Sequence, residues 1–382
     1  MTGPAPTLTG RYLLVLDDTL VDDEEAAWDA VRAVTGGEPV AVFPGLGIAV
    51  VDRLPEDGAG PGVRVDDPRV LAVEPERRVR AISVDRAVEY IDTAELTWGL
   101  QATAVATSAR TGRGTRVAVL DTGLDLGHPD FAGRAIQAKS FLTGVETVQD
   151  GLGHGTHCIG TAAGPLTPGE GRRRYGIAAD TELFVGKVLT DAGTGTDATI
   201  LAGISWGLES ACTVVSLSLG ANVREVSAVY EAVGRRALAA GTLIVAAAGN
   251  NADRSAGNPG FVGVPANSPS ILAVGAVDQR LGIADFSAGS SGVDGGQVDL
   301  VGPGVAVYSA WPRPRLAATL SGTSMATPHV AGIAALVAED TGATGSALWS
   351  QLTSSALGLG LPVSDVGAGL VQAPGASEEA SL

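Results

Sequence analysis

RVAVLDTGLDLGHPDF, residues 116–131, decides the fold. Its VAVL segment is an unbroken apolar run, the mark of a strand covered on both faces of a parallel sheet. The run stops at Asp121, so a carboxylate stands at the carboxyl end of a buried strand. Similar runs recur at LFVGKV (183–188), TVVSLSL (213–219), TLIVAAA (about 241–248) and ILAVGA (271–276). Helical patterns lie between them: DATILAGISWGLES, SAVYEAVGRRALAA and a long one beginning near Ser324. Alternation of this kind predicts an α/β protein with a doubly wound, mostly parallel sheet. In such sheets ligands bind beyond the carboxyl ends of the strands.

Upstream of this region the pattern is different. RYLLVLDD reads as a strand, and DDEEAAWDAVRAV places Ala27, Val31 and Val34 on one helical face behind an acidic first turn. PVAVF and GIAVV read as strands around Pro44-Gly45, and RVLAVEP as a fourth, after the turn-rich loop LPEDGAGPGVRVDDP. This order predicts a small α+β, ferredoxin-like module. The expected division is 1–90 for the small unit, 91–376 for the large one and 377–382 for a tail.

Composition narrows the function. A net charge of −17 argues against nucleic acid, which demands a basic surface. Two cysteines in 382 residues exclude a disulfide framework. MTGPAPTLTG carries neither a basic nor an apolar leader region, and no 18-residue apolar stretch occurs. The expectation is a cytoplasmic protein with no membrane partner, or a secreted one if a leader was trimmed.

Three windows carry chemistry. Asp121 ends a strand; His154 lies in GLGHGTHCIGTAAG at a glycine-rich helix entrance; Ser324 lies in LSGTSMATPHVAG at the mouth of the long helix. A serine hydroxyl needs a base within reach, and that base needs a third group to fix its tautomer. Asp, His and Ser from three strand-to-helix junctions meet that need. Asn250, closing TLIVAAAGN, is a side-chain donor which, with the Ser324 amide, forms a candidate oxyanion hole. His154, His157 and Cys158 lack the glutamate of a zinc protease, so no metal is assigned there. Cys158 reads as a small buried hydrophobe one turn below His154, and His157 and His329 as packed polar groups.

DTG, HGTHCIGT, AAAGN and GTSMATPHVAG, in the order Asp, His, Asn, Ser, resemble the signatures of the subtilisin-like serine proteases. The resemblance covers roughly residues 95–376. It implies a serine endopeptidase that works through an acyl-enzyme without a cofactor, with Asp121, His154, Ser324 and Asn250 in the catalytic roles. It implies substrate contacts at Gly193-Thr194-Gly195, an edge segment that pairs with an extended peptide. It places Ser218-Leu219-Gly220 and Ala248-Gly249 at the walls of the S1 pocket and Gly263 at its floor. These segments hold no carboxylate, so an apolar or aromatic P1 residue is expected. Residues 11–82 resemble the family's inhibitory propeptide, which would make the chain's own N-terminal unit an intramolecular partner, cut between Tyr90 and Ile91. Asp130 matches a calcium position in many members. The neighbouring loop GPLTPGEGRRRYGIA supplies no Asn or Asp and carries Arg172, Arg173 and Arg174. The rival reading is a binding module permanently capped by its own N-terminal unit; the intact set of four residues argues against it.

Overall fold

The computed structural model describes residues 8–20, 23–43, 47–54, 67–77, 89–169 and 171–375. Pro44-Gly45, most of the expected loop at 54–68 and the tail at 377–382 lie outside the described residues. Two compact units divide at Ser83 and Val84. The expected boundary at residue 90 falls inside the second unit for a physical reason: the Tyr90 amide donates to Gln279 O at 2.8 Å and Glu89 pairs with Arg280.

The first unit contains β1 (Leu8–Leu16), α1 (Glu24–Thr35), β2 (Ala41–Phe43), β3 (Ile48–Val51) and β4 (Val70–Arg77). The strands form an antiparallel sheet in the order β2-β3-β1-β4. Asp23 caps α1 by accepting from Ala26 N, and Gly36 ends it in the left-handed conformation. The predicted apolar face, Ala27, Val31 and Val34 with Ala30 beside them, packs on Leu14, Leu16, Ala49 and Val51.

The second unit opens with α2 (Trp98–Ala102), then β5 (Arg116–Asp121), β6 (Ile136–Ser140), α3 (His154–Ala163) and β7 (Glu182–Lys187). It continues with α4 (Asp197–Glu209), β8 (Val214–Leu217), α5 (Ala228–Ala239), β9 (Leu243–Ala247) and β10 (Leu272–Val277). After these come β11 (Leu300–Pro303), β12 (Val307–Ala310), β13 (Ala317–Leu320), α6 (Thr323–Thr341), α7 (Gly345–Ser354) and α8 (Val363–Val366). Seven parallel strands run in the order β11-β10-β9-β8-β5-β7-β6, while β12 and β13 form a separate antiparallel pair.

All five predicted core strands are present, and β5 lies at the point where the winding reverses, between β7 and β8. Asp121 therefore stands at the carboxyl end of β5, where the strand order reverses and such sheets open a crevice. β6 was not anticipated because Gln137, Ala138 and Lys139 are exposed on an edge and carry no buried-strand pattern. Except at Ser324, α6 is buried from Thr323 to Ala338, which explains its lack of an amphipathic stripe. Among the described residues no helix is long and apolar enough to cross a membrane.

Candidate active site

Asp121 is fully buried where β5 ends, and its carboxylate is held before any substrate arrives. Thr122 N donates to Oδ1 at 2.7 Å. His154, the first residue of α3, brings Nδ1 to 2.8 Å from Oδ1 and 3.0 Å from Oδ2. With Nδ1–H committed to the carboxylate, Nε2 is left as the basic nitrogen. The buried carboxylate raises the imidazole's proton affinity above its ordinary value and outweighs the opposing burial.

The approach of α3 to β5 depends on Gly155. A β-carbon there would lie 2.3 Å from Gly123 O. Instead Gly155 N donates to Thr122 Oγ1 at 2.8 Å, and Thr122 Oγ1 donates to Asp150 Oδ1. Asp150 also accepts from Gly153 N and, through Oδ2, from Thr156 N and Oγ1. Lys187, buried at the end of β7, donates to Thr122 O and to Asp191 Oδ1. Thr122, Asp150 and Lys187 thus hold the Asp121–His154 pair from behind. Sequence reasoning missed them because their signal, a polar residue inside an apolar or glycine-rich run, also describes any cap or turn.

Ser324 is the second residue of α6, where backbone N–H groups have no helical acceptor. Gly322 before it has φ 155° and ψ 160°, a conformation that suits glycine. Pro328 has no N–H, so the Ser324 carbonyl loses its usual helical donor. Ser218 Oγ supplies a replacement at 2.8 Å, and Cys158 Sγ approaches the same oxygen at 3.5 Å. Ser324 Oγ itself donates to Ser218 O at 3.2 Å. His154 Nε2 makes no hydrogen bond among the described residues.

Asn250 follows β9, and its Oδ1 accepts from Thr323 N at 2.8 Å and from Thr323 Oγ1 at 3.0 Å. That assignment leaves the Nδ2 donors to face the cleft. Thr323 was not singled out from sequence, although it fixes the orientation of Asn250.

His154, Ser324, Asn250, Gly193, Thr194, Gly195, Ser218, Leu219, Gly220, Ala248, Gly249 and Gly263 all line one cleft of about 640 Å³. Every predicted site residue except the buried Asp121 borders it. Between Gly220, Ala248, Gly249 and Gly263 the wall carries no charge and almost no side chain. Tyr90 is not among the lining residues; its side chain packs, half-buried, on the core of the second unit.

The other histidines are structural. Burial pushes His157 down to about 3 and His329 down to about 4, and each ring bonds a backbone carbonyl, Val307 O and Met325 O respectively. Cys158 and Cys212 are free and buried. The ligand atoms of Asp121, His154 and Cys158 lie within 4.8 Å of one another, but two of the three groups already bond each other.

Asp130 is the candidate calcium ligand, and its oxygens are already satisfied. Arg172 reaches Oδ1 through Nη2 at 2.5 Å and Oδ2 through Nε at 3.2 Å; Gly169 N and the Tyr175 hydroxyl add 2.8 and 2.5 Å bonds. Burial opposes the Asp130 charge, yet Arg172, Tyr175 and Gly169 together hold its carboxyl below the usual range. A calcium ion requires six to eight oxygens. The residues present fit a guanidinium there and not calcium.

Residues 112–369 match the Subtilase family. The chain is 36% identical over 370 residues to the M-protease of Shouchella clausii, covering 93% of this chain and 90% of that protein. It is 39% identical over 284 residues to Subtilisin Savinase of Lederbergia lenta, covering 73% and 98%. Among solved structures it is similar to a cold adapted subtilisin-like serine proteinase, with 28% identity and a TM-score of 0.60 over 76% of this chain and 98% of that one. Sphericase gives 29% identity and a TM-score of 0.62, covering 76% of this chain and all of its own.

Proposed function

The chain belongs to the subtilase family and is a serine endopeptidase, and on that premise we propose that Ser324, His154, Asp121 and Asn250 carry the reaction. The observation that supports this most is the bond from His154 Nδ1 to a buried carboxylate, at the edge of a cleft lined by Ser324 and Asn250. Ser324 Oγ rotates from Ser218 O to His154 Nε2, gives up its proton and attacks the scissile carbonyl carbon. Negative charge collects on the carbonyl oxygen, where the Ser324 N–H and Asn250 Nδ2 stabilise it. His154 then passes the proton to the leaving amine, and an acyl-enzyme remains. Water repeats the sequence: it loses a proton to His154, adds to the ester, and Ser324 recovers its hydroxyl proton as the acid leaves. Asp121 steadies the imidazolium throughout and is not itself protonated.

Peptides and proteins are the substrates of such an enzyme. The uncharged, small-residue wall at Gly220, Ala248, Gly249 and Gly263 supports an apolar or aromatic P1 residue. Residues Gly193-Thr194-Gly195 are suited to pair with an extended backbone upstream of the scissile bond. The first unit acts as an inhibitory propeptide, with processing between Tyr90 and Ile91. Cutting there requires Tyr90 to leave Gln279.

Mass spectrometry of the purified wild type beside Ser324→Ala tests the whole reading. Wild-type protein is expected to lose its first 90 residues and to take a sulfonyl group from phenylmethylsulfonyl fluoride at Ser324. The Ser324→Ala chain is expected to stay intact and unlabelled. Identical processing of both chains would remove Ser324 from the mechanism, and an intact, fully active wild type would remove the zymogen.

A further inference from the structure

The lining of the cleft falls into two chemically different stretches. Around Gly220, Ala248 and Gly263 it is small and uncharged. The lining also includes Leu189, Ile200, Leu219 and Tyr230, and bonded to Tyr230 is Asp197, the only Asp, Glu, Lys or Arg among all the lining residues. Three features make this carboxylate more than a solvated charge. Asp197 opens α4 directly after the Thr196 cap, whose capping box with Thr199 fixes the backbone. Its Oδ1 accepts from the Tyr230 hydroxyl at 2.8 Å. Tyr230 is only 2% exposed, and burial together with Asp197 keeps its phenol a proton donor. One oxygen is therefore anchored to a buried ring, while Oδ2 has no partner among the described residues and the residue is exposed at the cleft. No cation lines the cleft to neutralise it.

Resting on the reading of this cleft as a peptide groove, we propose that Asp197 is a specificity-determining residue that selects a lysine or arginine side chain upstream of the scissile bond. A peptide paired with Gly193-Thr194-Gly195 runs past Asp197, which lies two residues beyond Gly195. Its backbone would present a side chain to the Leu219–Tyr230 stretch. The aliphatic stem of a lysine suits Leu189, Ile200 and Leu219, and its ammonium suits Oδ2. A glutamate there would meet a like charge that cannot withdraw, because Tyr230 holds it. The net charge of −17 acts in the same direction at longer range.

The test uses peptides with phenylalanine before the scissile bond and lysine, glutamate or norleucine placed in turn at each of the three preceding positions. Wild type is expected to prefer lysine over glutamate at one of these positions by about threefold to tenfold in kcat/KM, the range of an exposed ion pair against a like-charge contact. In Asp197→Asn the ratio should fall toward one, with the glutamate peptide improving; in Asp197→Lys it should invert. Binding of the same peptides to Ser324→Ala, with and without Asp197→Asn, reads the same ratio without turnover. A chain that fails to hydrolyse therefore leaves the selectivity measurable. A ratio identical in wild type and Asp197→Asn, both in turnover and in binding, would overturn the proposal and leave Asp197 as a charge on a helix N-terminus. Loss of that structural role alone would weaken both peptides together.

Discussion

The two halves of the candidate active site are finished to different degrees. On the Asp121–His154 side, the carboxylate, the imidazole Nδ1 and the turn behind them already have partners, down to Thr122, Asp150 and Lys187. On the Ser324 side Asn250, the proposed oxyanion donor, is oriented by Thr323, but the Ser324 hydroxyl points to Ser218 O, and His154 Nε2 has no partner among the described residues. The imidazole is held by the fold through Asp121, whereas the Ser324 hydroxyl is held by Ser218 O. In the proposed mechanism the Ser324 hydroxyl leaves Ser218 O for His154 Nε2 when substrate is bound, as catalytic hydrogen bonds often tighten only in the complex.

If the oxyanion half acts mainly on the transition state, Asn250→Ala should reduce kcat by roughly 10²–10³ with little change in KM, a magnitude carried over from subtilisin. A change confined to KM would make Asn250 a binding residue and erase the contrast between the halves.

Cys158 joins them, with Sγ 3.9 Å from His154 Nδ1 and 3.5 Å from Ser324 O. A mercurial bound there should remove most activity by wedging α3 away from α6. Burial raises the thiol's pKa, so the reaction should be slow. Equal sensitivity in Cys158→Ser would place the mercury elsewhere.

A smaller effect is expected from Thr323→Val. Losing the hydroxyl removes one of two bonds to Asn250 Oδ1 and should cost a few-fold in kcat, about the value of one ordinary hydrogen bond. A loss as large as that of Asn250→Ala would show that the donor's orientation, and not its presence, dominates.

The gentlest probe is pH. Asp121 raises the His154 pKa, so the imidazole stays protonated, and useless as a base, over a wider acid range. The acid limb of kcat/KM should lie on the alkaline side of the ordinary 6.5, and the residual activity of Asp121→Asn should show the limb moved to lower pH. An unmoved limb would assign it to another group; burial keeps His157 and His329 from titrating there.

What the sequence disclosed follows the same division. The residues proposed to meet substrate or carry the proton stand in runs with few alternatives: Asp121 ends a buried strand, and Ser324 lies at the start of a helix too apolar to lie on a surface. The supporting residues were not legible. Thr323 reads as part of a motif, Pro328 as a helix breaker, and Lys187 as the polar end of a strand. Their roles arise from partners 73 residues away, as for Thr323 and Asn250, or 65, as for Lys187 and Thr122. Only the fold brings those pairs together. Edge strand β6 was lost for a related reason, since a strand needing one covered face need not be apolar. Asp197 was read as the start of a helix, which it is, and its place on the cleft appears only once Tyr230 is beside it.

The Arg172–Asp130 pair has a consequence for the conditions under which this corner of the molecule holds. A bound ion stabilises by mass action, so its contribution rises and falls with the medium. Arg172 is part of the chain and is never diluted. It grips Asp130, whose side chain is 1% exposed, while the next residue, Arg173, pairs with Asp92 at 2.9 Å, so the loop is tied to the segment that leads into α2. The lowered Asp130 pKa means that this contribution is present above the usual carboxylate range and is lost only as pH falls through the depressed value. Thermal unfolding of wild type should be indifferent to a chelator at this corner and should drop in Arg172→Ala with or without calcium. What a dissociable ion would leave to the surroundings, this chain has written into its own covalent structure.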